Sequence, residues 1–332
     1  MKYIIPVLIA ICNVLNPVCA QKQAGAEEID AFWTKTREAL QSIPIDAKVE
    51  KVNEPLPYRK FLITVRSLNN VTVSGYLALP VRGEAPAKPW PVIVTAPGYS
   101  GRSVGLVESE CQRGYAVLQV YPRGQGISQK YHKLDGDKLT SQLDGPEGAY
   151  YQGAYADVIR MIDYMVTRPD IDSSRIAMVG TSQGGGISLA VTALDKRIKA
   201  VVAHVPFLCN MRMAATMPSL VKNLLDKAKA NNETAFHTLD YFDPLQLASH
   251  IKVPVLMSAG GKDLSCPLPT IQSVYDRIGS NKQLVIYPDL PHTSCNDFYN
   301  RTWPWLDEHF TKPGKKKRKG NKIVHWKDDT TS

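Results

Sequence analysis

Apolar residues along this chain fall into short runs separated by polar stretches rich in Gly and Pro. Residues 29–43 place Phe32, Trp33, Leu40 and Ile43 at helical spacing and predict an amphipathic helix. Residues 60–66 and 71–79 alternate around Asn69-Asn70, which predicts two hairpin strands. Residues 80–91 are Pro-rich and read as a loop. From residue 91 the pattern changes to continuous apolar runs: 91–96 (PVIVTA), 115–120 (YAVLQV), 175–179 (RIAMV), 200–203, 253–258 and 283–287. Between and after them, residues 104–113, 149–167, 187–194, 269–278 and 297–310 carry helical patterns. A Gly-rich polar segment runs from 122 to 148, and 206–248 reads as a mostly helical excursion. Short apolar strands alternating with helices imply an α/β fold, with a parallel sheet covered on both faces. No internal repeat is visible.

Composition changes the picture little, and charge changes it more. The chain has 332 residues, 44% hydrophobic and 21% charged, which excludes disorder, collagen and a disulfide-dense miniprotein. Its net charge of +9 suggests a polyanionic partner until the charge is located. Lys312, Lys315, Lys316, Lys317, Arg318, Lys319, Lys322 and Lys327 crowd the C-terminus against Asp328 and Asp329, leaving residues 21–310 at about +2. Residues 312–332 therefore read as a basic, disordered tail, with electrostatic attachment to an anionic surface as its sharper reading. Trp326 alone gives too little aromatic content for single-stranded nucleic-acid binding, so no nucleic-acid partner is expected.

Residues 1–20 read as a cleavable signal peptide. Lys2 is followed by an apolar stretch to Leu15, and Val18-Cys19-Ala20 puts small residues ahead of a cut before Gln21. That run is too short for a retained membrane span, and no other segment is long and apolar enough. Lipid attachment at Cys19 is disfavoured by Pro17 and Val18. The expected protein is secreted or periplasmic, with residues 21–311 as one domain. Cys111, Cys209, Cys266 and Cys295 remain after cleavage and match no zinc spacing, so no metal site is expected.

The chemistry concentrates in Gly180-Thr181-Ser182-Gln183-Gly184. This Gly-x-Ser-x-Gly follows the strand RIAMV and precedes a helix, the context in which the motif presents a nucleophile. A serine nucleophile needs a base and an orienting acid, in the chain order Ser, acid, His. Asp263 follows the strand at 253–258, and His292 follows the strand at 283–287, both at carboxyl ends of strands where such sheets place their sites. Of the seven histidines, His132 precedes Ser182. His237, His250, His309 and His325 lie in helical or tail segments, and His204 has no acid-bearing strand between it and Ser182. Asp243 and Asp289 compete for the acid position, and Asp289 is too close in sequence to His292. The catalytic candidates are Ser182, Asp263 and His292. The backbone N–H groups of Gln183 and Tyr99 are the oxyanion-hole candidates, from the turn after the nucleophile and from an earlier strand loop.

Arg123-Gly124-Gln125-Gly126, followed by Gly-x-Ser-Gln-Gly at 180–184 and a late histidine loop, resembles carbohydrate esterase family seven, the acetyl xylan esterases and cephalosporin C deacetylases. Supporting stretches are Arg197-Ile198-Lys199-Ala200, Val205-Pro206-Phe207-Leu208, Leu239-Asp240-Tyr241-Phe242-Asp243 and Asp263 with Cys266-Pro267. The resemblance runs from about residue 31 to about residue 310. It implies an α/β-hydrolase with a mostly parallel sheet and an N-terminal helix and strand extension. It also implies removal of acetyl groups from sugar hydroxyls, no cofactor, and a homo-oligomer, often a hexamer. It makes Arg123, Gly124 and Gln125 site-shaping candidates.

Three positions depart from that pattern: Thr293 where the family has Glu, His204 where it has an acid, and Gly98-Tyr99 where it tends to have His. His204 thereby joins the site-shaping candidates. Cys266 and Cys295 lie on the acid and base loops, and a disulfide between them is one expectation. A peptidase or general small-ester hydrolase with the same triad is the rival enzyme reading. Ser182 argues against a dienelactone-type cysteine hydrolase, and a non-catalytic glycan-binding protein is disfavoured by the intact Ser, Asp and His set.

Overall fold

The computed structural model describes residues 23–81, 89–101, 107–310 and 321–326. Helix α1 (Ala26–Gln41) is amphipathic, burying Ile29, Phe32, Trp33 and Leu40. Three antiparallel strands follow: β1 (Lys48–Val52), β2 (Tyr58–Arg66) and β3 (Thr72–Pro80). The hairpin foreseen at 60–79 is β2 and β3. Strand β1 was not foreseen, because its KVEKV sequence is largely exposed at the sheet edge and lacks an apolar run.

The parallel part comprises β4 (Trp90–Thr95), α2 (Val107–Gln112), β5 (Ala116–Tyr121), α3 (Tyr150–Met165), β6 (Ile171–Thr181), α4 (Gln183–Leu194) and β7 (Ile198–His204). After an excursion of short helices, α5 (Met211–Ala214), α6 (Leu220–Ala228), α7 (Glu233–Asp240) and α8 (Pro244–Leu247), come β8 (Val255–Gly260), α9 (Leu268–Arg277), β9 (Lys282–Tyr287) and α10 (Asn296–Phe310). The sheet order is β1-β2-β3-β5-β4-β6-β7-β8-β9, parallel from β5 onward. The central parallel strands are built on buried apolar runs, as a sheet covered on both faces requires. Val255, Leu256 and Met257 of β8, for instance, are all 1% exposed or less.

One face is sealed by an aromatic cluster. Trp33 stacks on Tyr155 with centroids 5.7 Å apart, and Phe242 meets both rings. The polar ends are paired: Trp33 Nε1–H donates to the Tyr241 carbonyl and Tyr155 O–H to the Phe242 carbonyl, both at 2.8 Å. The other face packs Phe298, Trp303 and Leu306 of α10 against Ala200, Val202 and Val285.

The tail departs from expectation. A tenth strand, β10 (Lys322–His325), adds to β9 in parallel, pairing Ile323 with Leu284 and Val324 with Val285. Trp326 N–H donates to the Ile286 carbonyl at 2.9 Å, and its ring lies 5.7 Å from Tyr287. The surrounding lysines hid the short Ile-Val-His-Trp run, and the open edge of β9 supplies the backbone partners that make it a strand. The residues of 312–332 other than 321–326, and the expected signal peptide at 1–20, lie outside the described residues. No described helix is long and apolar enough to cross a membrane.

Candidate active site

Strands β4, β6, β8 and β9 run in one direction, so the segments after their carboxyl ends meet at one edge of the sheet. Ser182 stands between β6 and α4 at φ 56°, ψ −123°, a conformation that non-glycine residues hold only when the surroundings force it. Gly180 and Gly184 allow that turn. A Cβ on Gly180 would meet the Gly184 carbonyl oxygen at 2.3 Å, and one on Gly184 would meet the Ala96 oxygen at 2.2 Å. Helix α4 thus starts directly against the end of β4. The elbow is tied down on its other side by Ser182 N–H donating to the His204 carbonyl and Phe207 N–H to the Ser182 carbonyl, both at 2.9 Å. The chain beyond β7 is itself strained, with Val205 at φ 39° and Leu208 at φ 71°.

The three residues singled out by motif and order come together. His292 Nε2 lies 3.0 Å from Ser182 Oγ, and His292 Nδ1 lies 2.7 Å from Asp263 Oδ2. The other carboxylate oxygen of Asp263 accepts the backbone N–H groups of Ser265 and Cys266, both at 2.8 Å. Both oxygens are therefore engaged, and the side chain is fully buried. His292 keeps part of its ring exposed, where a substrate can reach it. The rival acids are used elsewhere. Asp243 accepts N–H bonds from Asn210, Met211 and Leu245, while burial pushes its carboxyl up to about 7. Asp289 pairs with Lys262 at the surface.

Gln183 and the loop after β4 are held by one buried network. Gln183 Nε2 donates to the Pro97 carbonyl at 3.2 Å and to Gln125 Oε1 at 3.0 Å. Gln125 Nε2 donates to the Gly98 carbonyl at 3.1 Å. Tyr150 O–H donates to Gln125 Oε1, and Tyr151 O–H to Gln183 Oε1, both at 3.1 Å. Gln125 and Gln183 are completely buried. The loop carrying Tyr99 is therefore fastened to the first residue of α4 through side-chain amides. The Tyr99 side chain points away into its own contacts: its hydroxyl donates to Asp137 and accepts from Leu139 N–H, and its ring meets Phe207 edge-on.

Arg123 and Gly124 support this network from behind. The Arg123 guanidinium makes a bidentate pair with buried Asp157, at 2.9 and 2.7 Å, and reaches the Leu68 carbonyl. Gly124, at φ +71°, turns the chain between that pair and Gln125.

His204 touches the site from beneath. Its Nε2 accepts the Cys295 N–H at 3.1 Å, which leaves Nδ1–H to donate to Ser258 Oγ. Its ring stacks on Phe298 with centroids 4.8 Å apart. Burial, reinforced by nearby His292, pushes its pKa down to about 4, so it is a neutral strut for the loop that carries His292. Thr293, the other departure on that loop, is exposed.

The disulfide expectation is corrected: Cys266 and Cys295 are free thiols. Cys266 neighbours Ser182 and Cys295 neighbours Tyr287, so each thiol sits against a hydroxyl of its own. Sequence reasoning also missed Tyr150, Tyr151, Asp157 and Ser258. Each is an ordinary residue in a helix or strand, and only the buried groups it meets mark it out.

Comparison with known proteins adds a lineage. The acetyl xylan esterase (AXE1) family model matches residues 19–309. The acetyl esterase Axe7A of Xylanibacter ruminicola is 25% identical over 301 residues, covering 84% of this chain and 66% of that protein. The chain thus spans just under two thirds of that relative's length. The structure of an acetyl xylan esterase from Paenibacillus sp. R4 superposes with a TM-score of 0.79 at 28% identity, covering 87% of this chain and 96% of that one. Acetyl Xylan Esterase 1 from Thermoanaerobacterium sp. shares the fold, with a TM-score of 0.77 at 22% identity, over 88% and 96% of the two chains.

Proposed function

The chain belongs to the acetyl xylan esterase family, and from that premise we propose that it is an exported serine esterase that removes acetyl groups from sugar hydroxyls. The single observation that carries this reading is the relay Ser182, His292, Asp263, with contacts of 3.0 and 2.7 Å. Ser182 Oγ attacks the acetyl carbonyl carbon as His292 Nε2 takes its proton. Asp263 holds the imidazole tautomer through Nδ1–H and stabilises the imidazolium. The carbonyl electron pair moves to oxygen, where the N–H groups of Gln183 and Tyr99 receive the charge. Collapse breaks the ester bond, and the departing sugar oxygen takes the proton from His292. Water then attacks the acetyl-enzyme by the same steps, releasing acetate and restoring Ser182.

Several further features belong to this reading. The substrate is acetylated xylan or xylo-oligosaccharide, in keeping with the names of the relatives. Residues 1–20 export the chain, and the working form is a homo-oligomer of hexamer type, which size-exclusion chromatography with light scattering tests. The reaction needs no metal or cofactor in the steps above.

The test is an acyl-chain-length series on purified protein, with acetylated xylo-oligosaccharides and an aminoacyl p-nitroanilide included. Acetate release from the xylo-oligosaccharides, with ester hydrolysis slowing steeply as the acyl chain lengthens, is the expected result. Hydrolysis of the aminoacyl substrate without acetate release would move the protein to the peptidase reading. Glycan binding by both wild type and Ser182→Ala, with no acetate from either, would make it a binding protein.

A further inference from the structure

The mechanism leaves one reactive side chain in the pocket unused. The turn that fixes Asp263 also aims Cys266 at the relay. Cys266 N–H donates to Asp263 Oδ1 at 2.8 Å, its side chain is 3% exposed, and its thiol neighbours the Ser182 hydroxyl. Donor atoms of Asp263, Cys266 and His292 all lie within 4.8 Å of one another. A carboxylate, a thiolate and an imidazole are the donors that zinc-like ions select. Tetrahedral coordination with the usual bond lengths spaces donors about 3.5 Å apart, so roughly an ångström of side-chain adjustment closes the set. Ester hydrolysis by Ser182 asks nothing of a thiol, and packing alone asks only for a small apolar group.

The geometry points to an inhibitory site for a soft divalent cation, Zn2+ or Cd2+, held by Cys266 Sγ, the Asp263 carboxylate and the His292 imidazole, with water as fourth ligand. On binding, the Cys266 S–H bond breaks, its proton passes to solvent, and a metal–sulfur bond forms; nothing is oxidised or reduced. The imidazole bound to the metal no longer accepts the Ser182 proton, so hydrolysis stops. Binding rests on the three side chains alone, whereas its inhibitory consequence rests on the esterase reading.

The experiment titrates chelator-treated full-length protein with Co2+ or Cd2+ alone and follows the thiolate-to-metal charge-transfer absorption. Wild type and Ser182→Ala are expected to develop the band with one equivalent of metal, Cys295→Ala to retain it, and Cys266→Ala to lose it. In parallel, Zn2+ should inhibit p-nitrophenyl acetate hydrolysis reversibly, relieved by chelator. The concentration for half-inhibition should rise about tenfold or more in Cys266→Ala, measured against that variant's own metal-free rate. Should Cys266→Ala fail to fold, His292→Ala serves, with the affinity read from the band falling about tenfold or more. No band in Ser182→Ala, a band retained in Cys266→Ala, or equal inhibition of wild type and Cys266→Ala overturns the proposal. A band in a protein that hydrolyses no ester keeps the metal site and sinks the esterase reading instead.

Discussion

Replacing Gln125 with Leu tests whether the buried amide network positions the proposed oxyanion donors, the N–H groups of Gln183 and Tyr99. Gln125 makes three hydrogen bonds, to the Gly98 carbonyl, from Tyr150 O–H and from Gln183 Nε2. Leu fills a similar volume and makes none of them. Gln183 keeps its bonds to Pro97 and Tyr151, and the Gly98 carbonyl still accepts the Gly101 N–H at 2.9 Å, so the group left unsatisfied is chiefly the Tyr150 hydroxyl. An orphaned buried polar group costs about 1–3 kcal/mol, and the added apolar burial offsets part of that. The net loss of stability should be about 1–2 kcal/mol.

The kinetic effect is separate from that loss. Without the Gly98 anchor, the loop bearing Tyr99 N–H shifts relative to Gln183 N–H. A misplacement of about 1 Å costs on the order of 100-fold, and complete loss of one oxyanion donor about 100- to 1,000-fold. Gln125→Leu should therefore lower kcat about 10- to 100-fold on p-nitrophenyl acetate. KM should stay within about threefold, because the hole acts on the transition state rather than the bound ester. Steady-state kinetics beside circular dichroism and thermal melts measure both parts. A folded variant with a lowered Tm and kcat within twofold of wild type would refute the positioning argument and leave Gln125 a purely structural residue.

Ser182→Ala should reduce kcat by at least about 10,000-fold and abolish any acyl-enzyme mass adduct, checked by intact mass spectrometry after quenching. His204 has a folded pKa depressed to about 4, so its contribution to stability is present above its unfolded pKa near 6.5 and is lost as pH falls from there toward 4. Wild type should lose roughly 3 kcal/mol over that window through this group, and His204→Gln should melt with a flatter Tm profile between pH 6.5 and 4. Trp326→Ala removes the ring packed on Tyr287 and should cost about 1–2 kcal/mol, a Tm drop of roughly 2–6 °C. An unchanged melt would mean that the Trp326 ring contributes nothing to the fold.

The parallel sheet was legible because each buried strand, such as Val255–Gly260, is a continuous apolar run that no surface segment sustains. The candidate triad was legible for a related reason. Ser182 is bound to a local strand-turn-helix motif, and Asp263 and His292 each follow such a strand, so chain order and strand ends locate all three. Local sequence carries local geometry.

The remainder depends on which buried groups meet across long sequence separations. Nothing in the helix Tyr150–Met165 marks Tyr150 and Tyr151 as the hydroxyls that hold Gln125 and Gln183, or Asp157 as the partner of Arg123. His204 reads as a departure in the sequence, and only its contacts with Ser258 and Cys295 make it a neutral strut. The neighbours of the two loop thiols, and the strand Lys322–His325 inside a basic tail, were likewise decided in three dimensions. A buried polar atom must find a partner, and a sheet edge takes whatever strand reaches it. Chain order and apolar runs were enough to bring out the candidate residues Ser182, Asp263 and His292 and the layers around them. The tertiary structure decided what holds those residues in place, because hydrogen-bond pairing in the interior is set by packing and not by the order of residues along the chain.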